Sequence, residues 1–137
     1  MKLFTEYTDK EMKFLVLVAK LAKKKQVSID EISVFDGLNQ KELSIVEKRQ
    51  LTLSKGETYK TNKVLWIAEG KVGLIQLREI AKKISARHVY GIKEFLYKKE
   101  YQIVAVKPSV LIEFSIDLTP STALSKLLIN ICKYGVN

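Results

Sequence analysis

Between Arg78 and Lys99 the chain sets seven cations, Arg78, Lys82, Lys83, Arg87, Lys93, Lys98 and Lys99, against only Glu79 and Glu94. A surface of that sign attracts polyanions: nucleic acid, anionic lipid or a phosphorylated small molecule. A solvated face accounts for the same lysines equally well. Inside this stretch, Tyr90-Gly91-Ile92-Lys93-Glu94 joins a glycine-centred turn to a cation and a carboxylate, and Lys98-Lys99 follows directly. These seven residues form the candidate ligand pocket, suited to a small anion. His88 is the only histidine, and no nucleophile or paired carboxylate is placed beside it by sequence. Nucleophile-elbow, P-loop and dinucleotide glycine patterns are absent, so no catalytic residue is assigned and an enzyme is not expected. One cysteine, Cys132, excludes an intramolecular disulfide, and no His/Cys cluster has metal-ligand spacing; neither a metal nor a cofactor is expected.

At 137 residues, with 47% hydrophobic and 28% charged content, the chain suits one domain with a real core. Its longest apolar run, Phe14 to Ala19, falls far short of the roughly 20 residues that cross a bilayer. The N-terminus lacks a signal-peptide pattern, so a cytoplasmic protein without a membrane partner is expected. The net charge of +9 is uneven: residues 1–49 carry ten Lys/Arg against eight Asp/Glu, and residues 50–137 fourteen against seven.

The elements that would position the pocket follow in order. Thr8 and Glu11 form a capping box ahead of a strongly apolar helix, and Ser28 with Glu31 forms a second. After the break at Asp36-Gly37, Asn39 caps a third helix with Glu42 three residues on. Residues 1–49 therefore read as a helical region. A helix-turn-helix reading of the same segment would place Lys41, Lys48 and Arg49 on a recognition helix, making a DNA-binding regulator the alternative function.

From Gln50 the character becomes β. Leu51–Leu53, Thr58–Thr61, Val64–Ala68 and Lys71–Leu77 are extended runs, the last two parted by a hairpin or tight corner at Glu69-Gly70. Ile103–Val106 and Val110–Phe114 are separated by a Lys107-Pro108-Ser109 turn, since proline cannot donate to a ladder. Trp66 reads as core. A final helix is capped by Thr119, with Pro120 first and Gly135 at its end. Its apolar stripe comprises Leu124, Leu127, Leu128, Ile131 and a buried Cys132. The predicted class is α+β, mainly β: a jelly-roll β-roll or barrel over residues 50–137, with the N-terminal helices packed on it and one C-terminal helix.

Three segments in register resemble the cyclic-nucleotide-binding domain family of the catabolite activator type. Val34-Phe35-Asp36-Gly37-Leu38 leading into Asn39–Leu43 resembles its entry motif, Leu53-Ser54-Lys55-Gly56-Glu57 its basic-Gly-Glu turn, and Leu65–Val72 its strand-Gly-strand signature. The resemblance runs from about Ser33 to Lys133. It implies a β-roll of about eight strands in jelly-roll order and a regulatory or sensory role without catalysis. It also implies a dimer interface on the terminal helix, through Leu124, Leu127, Leu128 and Ile131. In the family a Gly-Glu pair opens a short helix that holds the cyclic phosphate, and an arginine assists. Here Gly91 matches, but Ile92 stands in place of the acid, with Glu94 swung about 200° round the helix. Lys99 takes the arginine's place, and lysine lacks its bidentate fork. Arg87-His88 replaces a Gly-Asp turn. The expectation is a stand-alone regulatory module that acts through another ligand or a protein partner.

Overall fold

A computed structural model of the chain describes residues 33–136. The first two expected helices, with the capping boxes at Thr8 and Ser28, lie outside the described residues. The elements are α1 (Gln40–Ile45), β1 (Lys48–Leu53), β2 (Thr58–Thr61), β3 (Val64–Gln76), β4 (Glu79–Ser85), β5 (His88–Tyr90), α2 (Ile92–Tyr97), β6 (Tyr101–Phe114) and α3 (Thr122–Tyr134). This is the mainly β roll with flanking helices that the sequence predicts, with six strands among the described residues against the eight or so that the resemblance implies.

Two long antiparallel strands, β3 and β6, form its spine, and each changes partner halfway along. β6 pairs with β2 over Tyr101–Val104 and with β1 over Ser109–Phe114. β3 pairs with β5 over Leu65–Ile67 and with β4 over Lys71–Gln76. The exchange happens at a shared corner. The β3–β6 register shifts between Ile67 and Val72, and Gly70 there adopts φ 89°. Glu69-Gly70 is therefore a bulged bend within one strand and not a hairpin turn. Lys107-Pro108-Ser109 is likewise the matching bend within β6 and not a turn between strands. Pro108 takes no registered partner on either neighbouring strand, which is how a residue without an N–H is tolerated inside a strand. The buried Ser109 hydroxyl locks the corner, accepting from the Lys71 N–H at 3.0 Å and donating to a nearby carbonyl, Lys107 O lying at 2.7 Å.

Both faces of the spine are buried, which explains the unbroken apolar run at Val64–Ile67. Leu65, Ile67, Val72, Leu74, Ile103 and Leu111 fill the roll's interior. Val64, Trp66 and Phe114 face the other way, against α3. Trp66 meets Tyr134 edge to face at 5.5 Å, confirming it as core. The α3 stripe, Leu124, Leu127, Leu128 and Ile131, is buried in this same cluster. Those four side chains are spent on the chain's own core. The helix starts later than expected, on a Ser121 cap and not Thr119, because the Ser121 hydroxyl accepts the Leu124 N–H at 3.1 Å. It ends at Gly135 as expected. Cys132, expected in the core, is exposed; it falls one residue past Ile131, on the outer side of the stripe.

At α1 the expected capping box is present, Asn39 and Glu42 bonding reciprocally. Glu42 also takes the Lys126 ammonium at 2.8 Å, and the buried Asn130 donates to the Val34 and Asp36 carbonyls at 2.9 and 2.7 Å. These bonds tie the entry segment to α3. Among the described residues no helix is long and apolar enough to cross a membrane.

Candidate functional site

All seven residues of the expected pocket line one cleft of about 970 Å³, joined by Gln76, Tyr97 and Val136. Its wall is α2, a single short helix that the chain enters through Gly91 at φ 104° and leaves through Lys98 at φ 54°. Phe95, 3% exposed, pins this helix to the core beside Val64 and Trp66. Lys93, Lys98 and Lys99 are exposed at the rim. Lys99 is held there by its N–H, which donates to the Glu94 carbonyl at 2.8 Å. Val136 reaches the cleft because its N–H bonds to the Val89 carbonyl at 3.1 Å, pairing the residues after α3 with β5.

Behind Gly91 stands Tyr101, which the sequence reading did not single out. Tyr101 opens β6 pointing into the roll, and its hydroxyl donates to the Lys63 carbonyl at 2.5 Å. It lies so close to Gly91 that a Cβ there would stand 2.3 Å from the Tyr101 oxygen. Tyr90 meets Tyr101 edge to face at 5.2 Å. Glu94 turns inward to the same place, and its Oε2 is buried without a hydrogen-bond partner among the described residues. Burial, reinforced by Glu94, pushes the Tyr90 phenol up to about 12. Burial, with Glu94 and then Tyr90 adding to it, holds Tyr101 well above the usual range. Both phenols are therefore neutral donors near pH 7, not nucleophiles.

A second polar group joins β1, β2 and β6. Glu113, 5% exposed, accepts from Arg49 Nε at 2.9 Å and from the Tyr59 hydroxyl at 2.7 Å, while Arg49 also donates to the Tyr59 oxygen. Burial alone would raise the Glu113 pKa, but hydrogen bonds from Thr61, Tyr59 and Arg49 outweigh it and hold the carboxyl below its usual range. This arrangement corrects the alternative reading of the N-terminal half. Arg49 and Lys48 lie on β1, not on a recognition helix; Arg49 is committed to Glu113, and the Lys48 ammonium donates to the Leu43 carbonyl at 2.8 Å. Only Lys41 sits on α1, a helix of six residues. The three cations do not share one helix face for DNA.

A carboxyl whose folded pKa lies below its unfolded value stabilises fully above the unfolded value, and that contribution is lost as pH falls through the folded one. We expect the melting temperature to fall as pH drops through and below 4.5, the ordinary value for Glu113. Glu113→Gln should melt lower at neutral pH and lose less on acidification. Equal acid slopes for the two proteins would place the titration elsewhere.

No protein-family model matches the sequence, and no curated protein matches it. Solved structures do. The sensor domain of the transcriptional regulator DNR from Pseudomonas aeruginosa aligns with a TM-score of 0.50 at 18% identity, over 71% of this chain and 73% of that one. A cyclic nucleotide-binding-like protein from Brucella abortus gives 0.45 at 15% identity, over 63% and 90%. The regulatory subunit of a cAMP-independent protein kinase A from Trypanosoma cruzi gives 0.46 at 18%, over 86% and 41%. The likeness to the first shows the fold: the chain has the β-roll of that sensor domain.

Proposed function

We propose that this chain is a non-enzymatic regulatory or sensory domain that does not hold a cyclic nucleotide in the manner of the family. The observation that carries this reading is the packing of Tyr101 against Gly91. Its ring and hydroxyl lie hard against Gly91, at the entry to the short helix that in the family holds a cyclic phosphate. Ile92 compounds the effect, because an aliphatic side chain leaves a ribose hydroxyl without an acceptor, and an unpaired polar group in a site costs about 1–3 kcal/mol. What remains is the cleft itself, with Lys93, Lys98 and Lys99 at its rim. Flexible ammonium groups suit a small phosphorylated or carboxylated anion without demanding the planar geometry that arginine reads.

Melting of the full chain, titrated at fixed low salt with a panel of such anions and with cAMP and cGMP, tests the reading. A native-state ligand raises the melting temperature with concentration. We expect a saturable rise with at least one anion, weakened in Lys93→Gln/Lys99→Gln, and none with either cyclic nucleotide. A flat response across the panel would remove the anion assignment and leave a protein partner as the module's input.

A further inference from the structure

The turn joining β3 to β4 is unlike an ordinary hairpin tip. Leu77 and Arg78 both occupy the left-handed region, at φ 52° and 66°. That backbone is met at no steric cost by Asn-Gly, and an aliphatic residue there is strained. The strain secures no packing, for Leu77 is 97% exposed. Large exposed apolar side chains are few among the described residues, and two more gather nearby. Ile80, 47% exposed, follows on β4 opposite Ile75. Tyr97, 48% exposed, borders the cleft that also touches Gln76 at the foot of the turn, with Lys98 and Lys99 on the same rim. The tip is thus a projecting apolar apex with Arg78, Lys98 and Lys99 set around it, and with Glu79 and Glu100 as the exposed acids beside them.

We propose that this tip seats on an anionic lipid surface, Leu77 entering the interface while Arg78, Lys98 and Lys99 meet the headgroups. The inference goes beyond the anion reading of the cleft, with which it shares Lys98 and Lys99, and it turns on Leu77, which that reading does not use. A peripheral contact needs no spanning helix; it needs an apolar insertion and several cations close to the surface. A stable protein partner is a poorer fit, since such interfaces draw on about 800 Å² and 20–30 residues per side, and a convex turn offers only a handful. Duplex DNA would gain little from an aliphatic apex beside Glu79.

Co-sedimentation of the full chain with phosphatidylcholine vesicles, with and without about one-third phosphatidylserine, tests this. We expect binding to the anionic vesicles only, falling as salt is raised, and about tenfold weaker partitioning for Leu77→Asn. Asparagine tolerates the left-handed backbone better than leucine, so the variant should melt no lower than the parent and the loss would not be one of folding. Equal sedimentation with neutral vesicles, or unchanged partitioning of Leu77→Asn, would overturn the proposal. So would failure to bind anionic vesicles by a protein that binds duplex DNA or an acidic peptide through Leu77.

Discussion

Gly70→Ala is expected to remove about 4 kcal/mol of stability, a large share of the ~5–15 kcal/mol that a domain commonly has. At φ 89°, a Cβ on Gly70 would stand 2.3 Å from Ser109 Oγ, 2.4 Å from the Pro108 carbonyl oxygen and 2.7 Å from Ser109 Cα. Two of these atoms are backbone of the strand that bends with it, so neither can rotate away. Strain at the left-handed position adds to the overlap. Gly56 supplies the control, at nearly the same φ of 88° but with nothing within 4 Å of its Cβ. Gly56→Ala should therefore lose only the backbone strain, about 1–2 kcal/mol. Urea unfolding of the two variants separates conformation from close approach. Equal losses would mean that β3 and β6 are not clamped together at the corner.

The second large effect falls on Tyr101, where fold and site meet. Tyr101→Ala should cost about 3–5 kcal/mol, the usual range for deleting a buried aromatic ring. The ring packs on Tyr90 and closes the space beside Gly91. Tyr101→Phe keeps the ring and loses only the bond to the Lys63 carbonyl, a change of about 1–3 kcal/mol because that carbonyl is left unpaired. Denaturant melts of both variants give the comparison. A loss in the alanine variant no greater than in the phenylalanine variant would show that the ring does not fill the roll, and would weaken the argument against a cyclic nucleotide.

The sequence made some of this legible because the signals are local. Asn39 and Glu42 stand three residues apart, and their reciprocal cap depends on nothing else. The turn at Gly91 read locally from its glycine, while the short helix after it came only from the family resemblance; the seven pocket residues came together because that helix and its two caps carry five of them. Gly70 left a hairpin and a corner open, of which the corner is found, and Pro108 misled as a turn former on its own. Only the other strand, bending at the same place, keeps β3 and β6 continuous. The α3 stripe was plain as an apolar face, but nothing in its spacing says whether its own sheet or a second copy covers it. Arg49 and Glu113, 64 positions apart, carry no sequence signal of their pairing. Glu113 alternates with Ile112 and Phe114 like a solvent-facing strand residue, and it is the closure of the roll that turns it inward. Tyr101 was hidden in the same way, as its role depends on where Gly91 and Lys63 arrive in space.

The central claim is that the cleft at Gly91, backed by Tyr101 and carrying Ile92 and Lys99 in place of an acid and an arginine, does not take a cyclic nucleotide. Calorimetric titration of the full chain with cAMP and cGMP tests it most directly. The account predicts no saturable binding up to about 1 mM, meaning an affinity weaker than about −4 kcal/mol, for either nucleotide. Saturable binding tighter than that, lost in an Ile92 or Lys99 variant, would contradict it and make the domain a conventional cyclic-nucleotide sensor.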